Sequence, residues 1–484
     1  LTKTIRTYFG FFGESSMSFN YDMVVIGSGP AGQKAAIQAA KLGKRAAIID
    51  LNPKIGGVCL HDGTIPSKSF REAILHLSGY RLWTQFGQSY RVKNDIEMED
   101  LTRWSASIVA SAEQTLRAQL LRNRIQIICG WASLEDAHTV VVQRGSVRES
   151  ITAEFIVIAT GTSPRRPEGF EFDDSVIVDS NGILGLERLP RSLGIVGGGV
   201  IGSEYASMFS ALGVEVIIVE ARPGILGFID QDIRECLVHS LRQWGASILT
   251  GEKVAQCRRA SDGRAVIILE SGKRLVTDVL LVSAGRSGNT ASLNLAPLGI
   301  ELTAEGMVGV DNNFQTAVPN IYAVGDVCGR SGLASTAIEH GRRAACHAFA
   351  VDDTFPELPI PYGIYSIPEI SMVGKTETEL TRDKIPYEIG TCRFSELEKG
   401  RILGNTDGFL KILFNPNSLE ILGVHAIGEG ATEIIHTGQT AIAVGAKLDL
   451  LVHLVFNYPS LSQAYKIAAL DGFNKVLSTR GISF

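Results

Sequence analysis

A strand–turn–helix signal that occurs twice dictates much of what this chain can become. Residues 23–26 form a short apolar run leading into Gly27, Gly29 and Gly32, with Pro30 and Ala31 completing a G-x-G-x-x-G turn. Ala35, Ala36, Ala39 and Ala40 then recur at helical spacing, and the apolar run at 46–49 ends in Asp50. The same order returns at 193–196, followed by Gly197, Gly199 and Gly202 with Val200 and Ile201 between the last two, and then at 214–219, which ends in Glu220. Each glycine has its own purpose: a tight turn, a close approach of backbone to a pyrophosphate, and close packing of helix on strand. The helix N-terminus offers phosphates its unpaired N–H groups and positive dipole end. The terminal acid accepts hydrogen bonds from ribose hydroxyls. One glycine turn alone is weak evidence. Two, each with strand, helix and acid in register, imply two dinucleotides held by two domains.

Length agrees, because 484 residues exceed what one hydrophobic core organises, about 250–300 residues. A net charge of −5 gives nucleic acid or an anionic membrane nothing to bind, and clusters such as Lys34, Lys41, Lys44 and Arg45 read as a solvated helix and turn. No apolar run approaches the roughly 18 residues that span a bilayer. The seven cysteines (Cys59, Cys129, Cys236, Cys257, Cys328, Cys346 and Cys392) are scattered, without C-x-x-C or zinc-ligand spacing. That distribution predicts no metal centre and a cytoplasmic location, with most of these thiols as apolar fillers. Residues 1–16 carry Lys3 and Arg6 but no long apolar core, which argues against a secretory signal. Met17 is the expected start, and Glu14 with few arginines argues against an organellar presequence.

Further strings follow the two turns in order. Ile158-Ala159-Thr160-Gly161, Ala284-Gly285-Arg286, Tyr322-Ala323-Val324-Gly325-Asp326 and Pro368-Glu369-Ile370 with Val373-Gly374-Lys375-Thr376-Glu377 are spread over the chain. From about residue 21 to about residue 474 it resembles the FAD-dependent pyridine-nucleotide disulfide oxidoreductases, the family of lipoamide dehydrogenase and glutathione reductase. The resemblance implies an α/β fold: two Rossmann-type FAD- and NAD(P)-binding domains plus a C-terminal α+β dimerisation domain. The boundaries expected are an extension at 1–18, an FAD domain at 19–165 and 286–355, an NAD(P) domain at 166–285, and the dimerisation domain at 356–484. The first turn would hold FAD, aided by Gly56, Gly57, Val58, Trp131, Ala132, Ala159, Thr160, Gly161, Gly285, Arg286, Gly325, Asp326, Leu333 and Ala334. Asp326 would contact the ribityl chain. The second turn would hold the nicotinamide dinucleotide. A homodimer, or a larger assembly, is implied, with Tyr458 approaching the flavin of the other chain.

The departures from the family pattern carry equal weight. Disulfide reductases have C-x-x-x-x-C where this chain reads Cys59-Leu60-His61-Asp62-Gly63-Thr64, with the family's lysine kept as Lys68. Threonine forms no disulfide and is a far poorer nucleophile than a thiolate. Cys59 is then an inherited packing residue or a peripheral thiol. Near the C-terminus, the family's His–Glu acid–base pair is replaced by Tyr458 and Gln463; a phenol near pKa 10 and an amide do not move protons on thiols at neutral pH. His61 and His453 lie nearby in sequence as capping or surface residues. Both losses strike thiol chemistry, whereas hydride transfer needs only a flavin, a nicotinamide and their positioning.

One branch of the family, the soluble pyridine nucleotide transhydrogenases, shows that pattern. Gly63-Thr64-Ile65-Pro66-Ser67-Lys68 and Phe456-Asn457-Tyr458-Pro459 resemble its signatures, as do residues 363–369 and 433–439. By that resemblance FAD passes hydride between NADPH and NAD⁺. With one dinucleotide unit taken by FAD, NADP(H) and NAD(H) share the other in a ping-pong cycle. Lys68 paired with Glu204 would set the electrostatics at the flavin; alternatively Glu204 caps its helix or pairs on the surface. Glu220 suits the free 2′-hydroxyl of NAD, and Arg222 is either a bidentate partner for a 2′-phosphate or an exposed turn arginine. A quinone or dye reductase of the same fold, and an FAD-binding subunit without turnover, are the rival readings.

Overall fold

The computed structural model describes residues 19–479 apart from 88, 331 and 353–357. The expected extension at 1–18, Met17 included, lies outside the described residues.

Both glycine turns emerge from a five-stranded parallel sheet. In the first, Gln126–Cys129, Ala46–Asp50, Tyr21–Ile26, Val147–Ile158 and Ile321–Ala323 lie side by side in that order. In the second the order is Ser247–Thr250, Glu215–Glu220, Ser192–Val196, Val279–Val282 and Ile177–Val178. Helices Pro30–Lys41 and Val200–Ala211 each connect the strand that leads into a glycine turn to its parallel neighbour, as a parallel pair requires. Each unit also carries a three-stranded antiparallel meander. In the first, Val147–Ile158 serves both sheets, its N-terminal part pairing with Thr139–Arg144 and its C-terminal part with Tyr21–Ile26.

The units differ in where the last strand comes from. Ile321–Ala323 follows the entire second unit in sequence, whereas Ile177–Val178 precedes its own glycine turn. The chain therefore crosses between units twice, through adjoining strands. Thr162–Pro164 pairs antiparallel with Arg286–Gly288, and the Arg165 N–H adds a bond to the Gly285 carbonyl at 3.0 Å.

The remaining chain forms an antiparallel sheet in the order Tyr362–Ile364, Ile370–Gly374, Ile421–Ile427, Phe409–Phe414, Glu388–Arg393, packed against helices Ala431–Ala443 and Ala464–Thr479. Strand alternation sends Leu410, Ile412 and Phe414 into its apolar core. Lys411, between them, points the other way, toward the second unit. It is fully buried and binds Asp230 and Asp232, at the start of helix Gln231–Gln243, and Glu377. Burial disfavours its charge, but the three carboxylates outweigh that and raise its pKa above the ordinary lysine value. These acids have the spacing of a metal site, and the ammonium fills it.

One tight contact carries the fold to the site. Gly341, on helix Ala334–Ala348, lies against the first turn of helix Pro30–Lys41; a Cβ there would come within 2.0 Å of the Ala31 carbonyl oxygen and 3.0 Å of the Ala35 nitrogen. Both contacts are backbone, so neither yields by side-chain rotation. Gly341→Ala is expected to push the helices apart, at a cost of about 1–3 kcal/mol, and to tilt the helix N-terminus that carries Ala31. Thermal unfolding and the flavin content of the purified variant check this; a variant that melts with the parent and keeps its flavin would show that the helices separate freely.

Candidate functional site

The three units meet around a cavity of about 1140 Å³. From the first unit it is lined by Gly27, Gly29, Pro30, Ala31, Asp50, Gly57, Val58, Cys59, Thr64, Lys68, Trp131, Ala132, Ala159, Thr160, Gly161, Arg286, Gly325, Asp326, Leu333 and Ala334. The second contributes Val200, Ile201 and Glu204. Gly32 and Gly56 back the first turn without reaching the lining. At Gly32 a Cβ would stand 2.0 Å from the Gly27 carbonyl oxygen, the reason helix and strand pack so closely there. Gly197, Gly199, Gly202, Glu220 and Arg222 form the second turn outside the cavity, and Gly285 sits at the return crossing. Tyr458 is 68% exposed on the surface, beside Glu398, and is not brought to the cavity of its own chain.

The lining fits FAD. The volume exceeds the usual range for compact ligands, roughly 300–1,000 Å³, as an extended dinucleotide needs. Helix Pro30–Lys41 starts without a capping side chain, and a Cβ on Gly29 would meet nothing within 4 Å, so that end is open to a phosphate. Asp50 is steadied by the Ser28 N–H at 2.8 Å and the Asn52 N–H at 2.9 Å. The Thr160 hydroxyl is buried without a hydrogen-bond partner at the wall, as expected of a group that a ligand satisfies. Burial raises the Asp326 carboxyl above its usual range, against the pull of Arg286, whose own pKa burial lowers.

The reactive end is built around Lys68. It stands in the second turn of helix Thr64–Leu77, and its Nζ donates to Glu204 Oε2 at 2.8 Å. Glu204 is only 5% exposed, so it is neither a helix cap nor a surface partner. Its other oxygen, Oε1, accepts the Tyr365 N–H at 2.8 Å, and the Tyr365 ring centroid lies 5.0 Å from the Lys68 ammonium. Tyr362, Tyr365, Thr432 and His436 bring the third unit to the wall. Sequence reasoning assigned them no role; the available signals were the strings at 363–369, which holds Tyr365, and at 433–439, which holds His436.

Cys59, half-buried in helix Gly57–His61, has its thiol pKa raised, first by burial, although a hydrogen bond with Thr64 and the charge of Lys68 oppose this. A raised thiol pKa lowers the thiolate fraction, and the thiolate is the reactive form. His61 holds the Ile55 carbonyl at 2.9 Å, a structural bond. His453 ends helix Leu448–His453 on the surface.

At the second turn, Glu220 and Arg222 are partners. Glu220 Oε1 accepts the Arg222 backbone N–H at 2.8 Å and Nε at 2.9 Å; Oε2 accepts Nη2 at 3.0 Å and the Gly198 N–H at 2.6 Å. Burial opposes the Glu220 charge, but these bonds hold its pKa below the usual carboxylate range. The carboxylate is buried and the guanidinium side chain 60% exposed, so the arginine can leave its partner more readily than the reverse. No helix among the described residues is long and apolar enough to cross a membrane.

The comparisons with known proteins agree with this geometry. A family model described as pyridine nucleotide-disulphide oxidoreductase matches residues 21–341, and its dimerisation-domain counterpart matches residues 360–469. A curated soluble pyridine nucleotide transhydrogenase of Mycobacterium bovis is 48% identical over 94% of this chain and 98% of its own length. Another, of Colwellia psychrerythraea, is 43% identical over 95% and 99%. Among solved structures, LpdA from Mycobacterium tuberculosis superposes with a TM-score of 0.85 at 26% identity, covering 93% of this chain and 99% of that one. The Cu(II) complex of the flavoprotein disulfide reductase RclA from Escherichia coli gives 0.84 at 26%, with the same coverage. With both family models matched in order and near-full-length relatives at this identity, the chain belongs to the pyridine nucleotide-disulphide oxidoreductase family, among relatives curated as soluble pyridine nucleotide transhydrogenases.

Proposed function

We propose that this protein transfers hydride between NADPH and NAD⁺ as a flavin-dependent transhydrogenase, without a redox-active disulfide. The observation that carries the reading is that Thr64, with no second cysteine in the local turn after Cys59, stands at a cavity lined by the first glycine turn, Asp50, Lys68 and Glu204. The curated relatives bear the name of that activity. Bound FAD supplies the two-electron centre that takes hydride from one nicotinamide and yields it to the next.

The chain's own residues then bind, orient and charge the site. The first turn, from Gly27 to Gly32, and Asp50 take the FAD pyrophosphate and ribose, with Asp326 and Thr160 along the wall. Lys68, fixed by Glu204, presents a cation to the cavity. The second turn, from Gly197 to Gly202, takes NADP(H) and NAD(H) in alternation, and Glu220 with Arg222 serves both. Against NAD the pair stays closed; against a 2′-phosphate Arg222 exchanges its carboxylate for the phosphate. Residues 19–165 with 286–355, 166–285 and 356–484 act as the FAD, nicotinamide and dimerisation domains. We assign the protein as a cytoplasmic homodimer, supported by the dimerisation-domain match and by seven free cysteines.

Anaerobic stopped-flow of the yellow protein tests the cycle. NADPH is expected to bleach the flavin and NAD⁺ to restore it rapidly, with no long-wavelength thiolate band. Recovery only on adding a quinone or oxygen would replace the transhydrogenase by an acceptor reductase.

The exchange at the second turn predicts effects of opposite sign. Arg222→Gln should weaken NADPH binding about tenfold or more while changing NADH binding less than about threefold, since a charge-assisted bidentate contact is worth roughly 1.5–3 kcal/mol. Glu220→Gln should tighten NADPH and weaken NADH. Calorimetric titration of each variant decides, and equal losses for both nucleotides in Arg222→Gln would refute the exchange.

Thr64→Cys places a second sulfur beside Cys59 and is expected to form a disulfide. The variant should take up an extra electron pair on titration and develop a thiolate–flavin band. It should still fail to turn over lipoamide or glutathione disulfide, because Tyr458 and Gln463 stand where the acid–base pair belongs. Two thiols that both react with a thiol reagent in the oxidised variant would rule out the disulfide.

A further inference from the structure

The segment Tyr365-Ser366-Ile367 runs from the third unit into the space between helix Thr64–Leu77 of the first and helix Val200–Ala211 of the second. It is laced to both. The Tyr365 N–H goes to Glu204 Oε1 at 2.8 Å, and one turn further along the same helix the Ile367 N–H goes to Ser207 Oγ at 2.9 Å. On the other side, Arg71 Nε donates to the Ser366 carbonyl at 3.0 Å. Arg71 lies one turn from Lys68 on the same helix face. The Tyr365 side chain then turns into the cavity, with its ring 5.0 Å from the Lys68 ammonium and its hydroxyl beside Thr432.

Lys68 is thus held from two directions. A carboxylate oxygen takes one of its three N–H groups, and an aromatic face lies within cation–π reach. The Lys68 side chain is 25% exposed, and Lys68 lines the cavity. Glu204 has no freedom to re-aim it, because its two oxygens are divided between Lys68 and Tyr365. A flexible four-carbon side chain in a polar cavity would otherwise sample several rotamers, and a cation that wanders contributes less to the field at a fixed point.

We propose that Tyr365 is a positioning residue for hydride transfer: through its backbone N–H and ring face it holds the Glu204–Lys68 pair in the one arrangement that aims the ammonium at the flavin end of the cavity. The inference rests on the reading of Lys68 given under Proposed function. The ring acts on the cation directly, and the N–H acts through Glu204. The phenol hydroxyl, turned to Thr432, plays no part in aiming Lys68. The ring and the hydroxyl are therefore separable by substitution.

The test uses the FAD-loaded full-length protein, with two readouts: the flavin midpoint potential, and the rate of anaerobic flavin reduction by NADPH. Tyr365→Leu is expected to make the potential more negative and to slow reduction by about three- to thirty-fold, the span of a cation–π contact from exposed to desolvated. Its KM for NADPH should stay within about twofold, because the second turn is untouched. Tyr365→Phe should recover most of the lost rate and potential. In a Lys68→Met background, adding Tyr365→Leu should change neither readout further. Should the leucine variant fail to retain flavin, a trifluorinated phenylalanine at position 365, which keeps the ring's shape and cancels its negative face, takes its place with the same expectations. Equal damage from the leucine and phenylalanine variants, or undiminished damage in the Lys68→Met background, would overturn the proposal. A potential moved by Lys68→Met but not by Tyr365→Leu would overturn the role of Tyr365 alone. A potential unmoved by Lys68→Met would overturn the reading of Lys68 beneath it.

Discussion

A single buried carboxylate, Glu204, joins all three parts of this molecule. A charge withdrawn from water is tolerated only where its lone pairs are met, so its two partners must both be present for the native arrangement to exist. One partner is Lys68 of the first unit and the other is the Tyr365 N–H of the third. Neither is local in sequence, and neither can be supplied by a unit folding alone. The geometry of the reactive end of the cavity is therefore a property of the assembled chain.

The same logic recurs where the units abut. Lys411 ties the third unit to the second through Asp230 and Asp232, and buried Arg71 reaches Ser366 together with Glu369 and Glu429. Burial raises the Glu369 pKa, and Arg71 opposes it. Around these polar ties lies a continuous apolar cluster drawn from all three units, with Phe70 and Ile74 from the first, Ile195 and Phe209 from the second, and Ile364 and Ile427 from the third. Apolar contact supplies the driving force for docking, since it scales with area and is indifferent to direction. The charged and hydrogen-bonded ties are directional and select one orientation from those the apolar surfaces would accept.

Much of the first two units could be read before any coordinates. The glycine turns, their helices and the acids Asp50 and Glu220 announce themselves because strand, turn and helix periodicities are local, and each step needs a particular residue type. The lost thiol chemistry was equally legible, because Thr64 and Tyr458 are chemical substitutions at fixed motif positions. The environment of each residue was not. By the family resemblance Glu204 is the partner of Lys68, and only its burial removed the alternatives of a helix cap or a surface pair; Arg222 stood equally well as a phosphate partner or a turn residue until its fork proved to be closed on Glu220. The burial that raises the Cys59 thiol pKa was likewise not legible in the sequence.

The sequence by itself determined that there are two dinucleotide-binding units, which residues form their turns, and that no second cysteine lies in the local turn after Cys59. These follow from short-range stereochemistry and from the identity of reactive atoms, neither of which depends on distant residues. The tertiary structure alone decided that the cavity has a third wall, contributed by Tyr362, Tyr365 and Thr432, and that Lys68 is aimed by partners far along the chain: Glu204, 136 residues away, and Tyr365 beyond it. Desolvation and cross-unit pairing set the charge, direction and freedom of those side chains. Both arise only when surfaces remote in sequence close on one another and exclude water.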